Sequence, residues 1–113
     1  MRLYINHKEI KSLKEYFIGY KGNIDDIIEL DCSYNQLASL EGCPKNVKKL
    51  YCYNNCLITL KGCPENILEM YCHWNNLTSL YRCPKNVEML YCPNNPLLKL
   101  YQDINILEMH GIN

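Results

Sequence analysis

No apolar run in this sequence approaches the roughly 18–20 residues that cross a bilayer as a helix, so no membrane-spanning helix is expected. Twelve basic and twelve acidic side chains cancel. That removes the general electrostatic attraction to nucleic acid or to an anionic membrane surface. The nearest approach to a basic patch, Lys45, Lys48 and Lys49, is short. The opening residues, MRLYINHKEIKSLK, lack both an apolar core and a small-residue cleavage site. The expectation is a cytoplasmic chain. Catalytic motifs are missing too: there is no phosphate-binding glycine loop, no Ser-His-Asp arrangement and no paired-carboxylate motif. His7, His73 and His110 are scattered. Cys72 and His73 are neighbours in sequence, but adjacent strand residues point to opposite faces and form no dyad. Asp25-Asp26 reads as a solvated turn. The chain is expected to be no enzyme and to carry no cofactor.

Cysteine is abundant, with eight in 113 residues. In a secreted chain that number would suggest disulfides, yet the spacing argues otherwise. Cys32, Cys52, Cys72 and Cys92 fall 20 residues apart, and Cys43, Cys63 and Cys83 form a second column with the same step. Reduced cysteine is a small hydrophobe and is often buried, so both columns are expected to be core thiols. Stacked, in-register side chains point the same way, which disfavours bridging within a column. No Cys-x-x-Cys pair occurs, and Cys52-x-x-x-Cys56 would put one thiol inward and one at a bend, so no metal site is expected. Cys56 is the one thiol outside the columns.

The cysteines mark an internal repeat, the feature that dictates the fold. The copies are IIELDCSYNQLASLEGCPKN (27–46), VKKLYCYNNCLITLKGCPEN (47–66), ILEMYCHWNNLTSLYRCPKN (67–86) and VEMLYCPNNPLLKLYQDIN (87–105), then a truncated ILEMHGIN (106–113). Within each, (V/I)-x-x-(L/M)-x-C alternates apolar and polar residues and reads as a short strand. Stacking would pair these strands in parallel, about 4.8 Å apart. Asn35, Asn55, Asn75 and Asn95 follow the strand. A buried amide there offers donors and an acceptor to its own turn and to the next. The Cys-Pro of the return segment lacks an N–H and fixes φ, which predicts an extended, polyproline-like or 3-10 return and no α-helix. Residues 1–26 read as a degenerate first copy, with Leu3, Ile5, Ile10 and Leu13 at the repeat spacing. Tyr16, Phe17 and Tyr20 predict a short helix, stopped at Gly22 or Asn23, that would cap the open end of the stack.

The pattern (V/I)-x-x-(L/M)-x-C-x-x-N-x-L-x-x-L resembles the leucine-rich repeat, L-x-x-L-x-L-x-x-N-x-L, in its shortest form. The 20-residue length with a proline-containing return resembles the repeats of bacterial type III effectors. The strand cysteine and the richness in Asn, Lys, Ile and Tyr look more like small repeat proteins of AT-rich genomes, including large DNA viruses. The resemblance implies one leucine-rich repeat domain over 1–113, a parallel sheet on a concave face, and protein–protein recognition there, in a host cytoplasm if the chain is viral or effector-like.

Residues between the core positions would point onto that face. Tyr51, Tyr71 and Tyr91 form one column, Tyr53 and His73 a second, and Trp74, the only tryptophan, stands at the strand end. Tyrosine and tryptophan supply large contact area with a polar tip. These six residues are the expected partner-binding site, for a peptide segment or a helix of another protein. Tyrosine is also a good strand residue that stacks on its own copies, and that reading stays open. An alternative function is structural: the truncated last copy, with His110 and Ile112 and no cap after it, would leave an edge strand free to pair with a second copy of the chain.

Overall fold

The computed structural model describes residues 1–96. The fourth repeat beyond Pro96 and the truncated last copy, with the expected edge strand at His110 and Ile112, lie outside the described residues.

Leucine alternation sets the architecture. Five three-residue strands, β1 (Arg2–Tyr4), β2 (Glu29–Asp31), β3 (Lys49–Tyr51), β4 (Glu69–Tyr71) and β5 (Met89–Tyr91), each bury their central residue more than its neighbours. They pair in sequence order into one parallel sheet. The register follows the repeat: Leu3 opposes Leu30, Leu30 opposes Leu50, Leu50 opposes Met70, and Met70 opposes Leu90. The chain is therefore a parallel β-solenoid of about three turns with little helix. The degenerate first copy joins the sheet in the predicted register, despite its longer connection.

The core is a set of columns. Leu30, Leu50, Met70 and Leu90 stack behind the strands, Cys32, Cys52, Cys72 and Cys92 beside them, and Leu37, Leu57 and Leu77 on the way back. Each cysteine of the strand column is buried, and those of the second column are half-buried. None of the eight cysteines is in a disulfide.

The asparagine column joins one turn to the next. The Asn55 Oδ1 accepts from the Leu37 N–H at 2.9 Å, and its Nδ2 donates to the carbonyls of Cys32 at 3.1 Å and Cys52 at 3.2 Å. Asn75 and Asn95 repeat this pattern one turn on each time. Asn35 does the same toward the degenerate copy, accepting from Lys8 and Ile10. One side chain per turn thus satisfies backbone groups that the bend would otherwise leave buried and unpaired.

Among the described residues the return side of the regular copies contains no α-helix, as expected, but it is not one extended or polyproline-like segment. It is two tight turns in succession. The Cys43 N–H donates to the Leu40 carbonyl, and the Val47 N–H to that of Pro44. Gly42 and Gly62 sit third in the first of these turns at φ 89° and 88°, as a type II turn requires. They also lie close against the preceding turn: a Cβ on Gly62 would come within 2.4 Å of the Glu41 backbone nitrogen.

Helix α1 (Leu13–Ile18) occupies the return side of the first copy. Ser12 caps it, its hydroxyl accepting from the Glu15 N–H at 3.2 Å, and Leu13 and Phe17 enter the core. The helix stops at Gly19 rather than at Gly22 or Asn23. Gly19 directs its N–H back to the Tyr16 carbonyl, and Tyr20 still packs on Phe17 from beyond the helix. A 3-10 turn at Ile24–Asp26 then leads into β2. Among the described residues no helix is long and apolar enough to cross a membrane.

Candidate functional site: the aromatic face of the sheet

The sheet's open face is built by residues flanking the buried strand centres. Its first column neutralises itself. Arg2 pairs with Glu29 at 3.2 Å, and Lys49 with Glu69 at 4.0 Å. Both cations also lean on tyrosines: donation to the Tyr4 hydroxyl oxygen and then the Glu29 charge raise the Arg2 pKa, and donation to the Tyr51 hydroxyl oxygen raises that of Lys49. The face accordingly carries charge without a dominant sign.

The rings form two groups. Tyr51 and Tyr71 stack at 4.8 Å with planes 10° apart, the separation of adjacent strands. Lys49 lies over the Tyr51 ring, 5.5 Å from its centre. The Tyr71 hydroxyl donates to Glu69 Oε1 at 3.1 Å, with the Met89 sulfur at 3.4 Å. Burial, then the Glu69 carboxylate, raises the Tyr71 pKa, so this phenol stays a neutral donor. The second group runs diagonally through His7, Tyr34, Tyr53, His73 and Tyr91. Its members alternate between stacked pairs at 4.4 Å and edge-on pairs at 5.5 Å and 4.8 Å.

Of the six residues expected from sequence, Tyr51 and Tyr71 belong to the first group and Tyr53, His73 and Tyr91 to the second. Trp74 stands at the strand end, 57% exposed, and touches no other ring among the described residues. Tyr91 turns toward His73 rather than extending the Tyr51–Tyr71 stack. His7 and Tyr34 complete the diagonal and were not among the six. The signal for them was present, because Tyr34 shares its column with Trp74 and His7 occupies the matching place in the degenerate copy.

His73 is the unusual member. Its ring lies flat against Tyr53 and edge-on to Tyr91, and its Nδ1 is buried without a hydrogen-bond partner. Burial lowers its pKa from the ordinary 6.5, since a protonated ring would need an acceptor for the Nδ1 proton.

The thiols are quiet. Burial pushes Cys63 and Cys83 up to about 12 and raises Cys32, Cys43, Cys52 and Cys72 as well. The thiolate, which is the nucleophile and metal ligand, is disfavoured at each. Cys72 is buried in the core, whereas His73 lies on the open face. Among the described residues, no three His, Cys, Asp or Glu side chains converge as a metal site would require. Comparison with protein-family models and with curated proteins finds no match for the chain.

Proposed function

We propose that this chain is a non-enzymatic protein-binding module of the short leucine-rich repeat type, and that it binds a peptide segment or a single helix on the aromatic, concave face of its sheet. The observation that carries the reading is the ring set itself. Seven aromatic or imidazole rings lie on one face in two contacting groups. Tyr34 and Tyr91 are 45% and 48% exposed, which leaves their rings open to a partner. Tyrosine-rich surfaces of this kind supply binding hot spots at low entropic cost.

Size selects the partner. Five strands about 4.8 Å apart give a face roughly 20 Å tall. With two or three side-chain columns across, it offers on the order of 400 Å², about half of one side of a standard interface. An extended segment or one helix matches that area. In this reading α1 serves as the cap expected at the open end of the stack, and the repeat resembles those of effector-like and viral proteins acting in a host cytoplasm.

The test is proximity cross-linking in the native cell, comparing the wild-type chain with Tyr71→Ser/Tyr91→Ser. The expected result is loss of one or a few partner proteins from a variant whose urea midpoint stays near wild type. Identical partner sets for the two chains would rule this face out.

A further inference from the structure

The third residue past each of β2 to β5 turns left-handed. Tyr34, Asn54, Trp74 and Asn94 have φ of 55°, 53°, 54° and 62°. Asparagine adopts this conformation readily, but a bulky aromatic does so only under strain. Strained residues held in place by a rigid frame cluster at functional sites. Here the two strained aromatics bracket a single asparagine, so the column alternates large, small, large over three turns.

That alternation leaves a shallow notch. Tyr34 and Trp74 form its walls, Asn54 lies between them, and His7 and the exposed Cys56 border it. The walls stand two turns apart, about 9.6 Å at the usual strand spacing. Stacked rings on this face lie 4.4–4.8 Å apart, so the gap equals about two stacking steps. One flat ring inserted between Tyr34 and Trp74 would contact both. His7, stacked on Tyr34 at 4.4 Å and 12°, shows how a ring packs along this rim.

The notch also has a polar side. The neighbouring asparagines of the notch, Asn35 and Asn55, are committed to the backbone. The Asn54 amide makes no hydrogen bond to another described residue. It is therefore available to a ligand as both donor and acceptor. No Lys, Arg, Asp or Glu lines the notch, so nothing there balances a phosphate or a carboxylate.

We propose that the notch between Tyr34 and Trp74 is an anchor subsite that takes one uncharged aromatic side chain of a partner peptide, tyrosine above all, with the Asn54 amide bonding its polar edge or the adjoining peptide group. This deepens the protein-binding reading of the face and rests on it. The lack of a countercharge favours a peptide over a nucleotide.

The test is an NMR titration of the ¹⁵N-labelled full chain with the blocked pentapeptide Gly-Gly-Tyr-Gly-Gly, its leucine counterpart, and adenosine. The tyrosine peptide is expected to shift the Trp74 indole and Asn54 amide signals saturably, and to bind at least about fivefold more tightly than the leucine peptide. Asn54→Tyr fills the notch with the residue that the preceding turn already carries at this position, and should weaken the response at least about tenfold. Trp74→Asn, which installs the residue found at 54 and 94, should do the same with Asn54 as reporter, which keeps the test valid if Asn54→Tyr fails to fold. No saturable shift, an equal response to the leucine peptide, or full binding by both variants would overturn the proposal. Tighter binding of adenosine would overturn it in favour of a nucleobase. The face and the notch separate cleanly: partners retained by Asn54→Tyr but lost from Tyr71→Ser/Tyr91→Ser sink the notch alone. Peptide binding at the notch with partners unchanged in Tyr71→Ser/Tyr91→Ser sinks the wider face alone.

Discussion

Asn55 illustrates how much one side chain carries in this molecule. Its amide reaches the Leu37 N–H and the Cys32 carbonyl of the preceding turn as well as the Cys52 carbonyl of its own. Each buried group left unpaired costs about 1–3 kcal/mol, so Asn55→Ala should lower stability by at least about 2 kcal/mol, read as a fall in the urea midpoint. His73 gives a pH signature. Because burial lowers its folded pKa below 6.5, the unfolded chain takes up the proton first. The stability that depends on a neutral ring is intact above about pH 6.5 and declines as pH falls from there toward the folded pKa. The urea midpoint at about pH 5 relative to pH 8 should drop more in wild type than in His73→Phe, which keeps the ring and loses the titration. Cys56 is exposed while the other seven thiols are buried or half-buried. Brief iodoacetamide treatment of the native chain near neutral pH should place an adduct there first, located by peptide mass spectrometry. Early modification of Cys63 or Cys83 would contradict their packing. The asparagine bonds and the inward cysteines were legible in the repeat, since a column of one residue type every 20 positions states a structural need. The buried Nδ1 of His73 was not, because it depends on how Tyr53 and Tyr91 orient.

The strand elements follow from the alternating pattern, but the return elements follow from turn chemistry that the proline obscured. Pro44 suggests an extended segment, whereas Gly42 at φ 89° identifies a tight turn before it. The third copy breaks the rule, since Arg82 occupies that place at φ 72°. The consequence lies between the second and third turns. Leu40 donates to the Lys61 carbonyl at 3.0 Å across the first gap, and the corresponding Leu60-to-Tyr81 bond is not made among the described residues. An open pocket lies there instead, bordered by Leu60, Gly62, Arg82 and Cys83. A left-handed non-glycine residue costs about 1–2 kcal/mol, so Arg82→Gly should stabilise the chain by about 1 kcal/mol and raise its urea midpoint. Gly62→Ala should destabilise by about 2 kcal/mol or more, because its Cβ meets the Glu41 backbone at 2.4 Å. The helix boundary shows the opposite error. Gly19 was an adequate stop signal, but the helical spacing of Tyr16, Phe17 and Tyr20 carries past it, and Tyr20 reaches Phe17 without being helical.

The whole molecule separates a frame from a face. Leucines, cysteines and asparagines at fixed spacing specify the solenoid, and their identity says nothing about a partner. The residues between them, which the core does not use, carry the rings in register. The six expected positions therefore came from the same pattern as the fold. Tyr34 and His7 stood in matching columns of the repeat, and only the ring contacts join them to the others. The central claim is that this face, and not the return side, meets another protein. Site-specific photo-cross-linking tests it most directly, with benzoylphenylalanine replacing Tyr53 or Tyr91 on the face, or Tyr81, which is 65% exposed on the return side. A discrete protein adduct is expected in the native cell from positions 53 and 91 and none from 81. An adduct from 81 with none from 53 or 91 would contradict the claim.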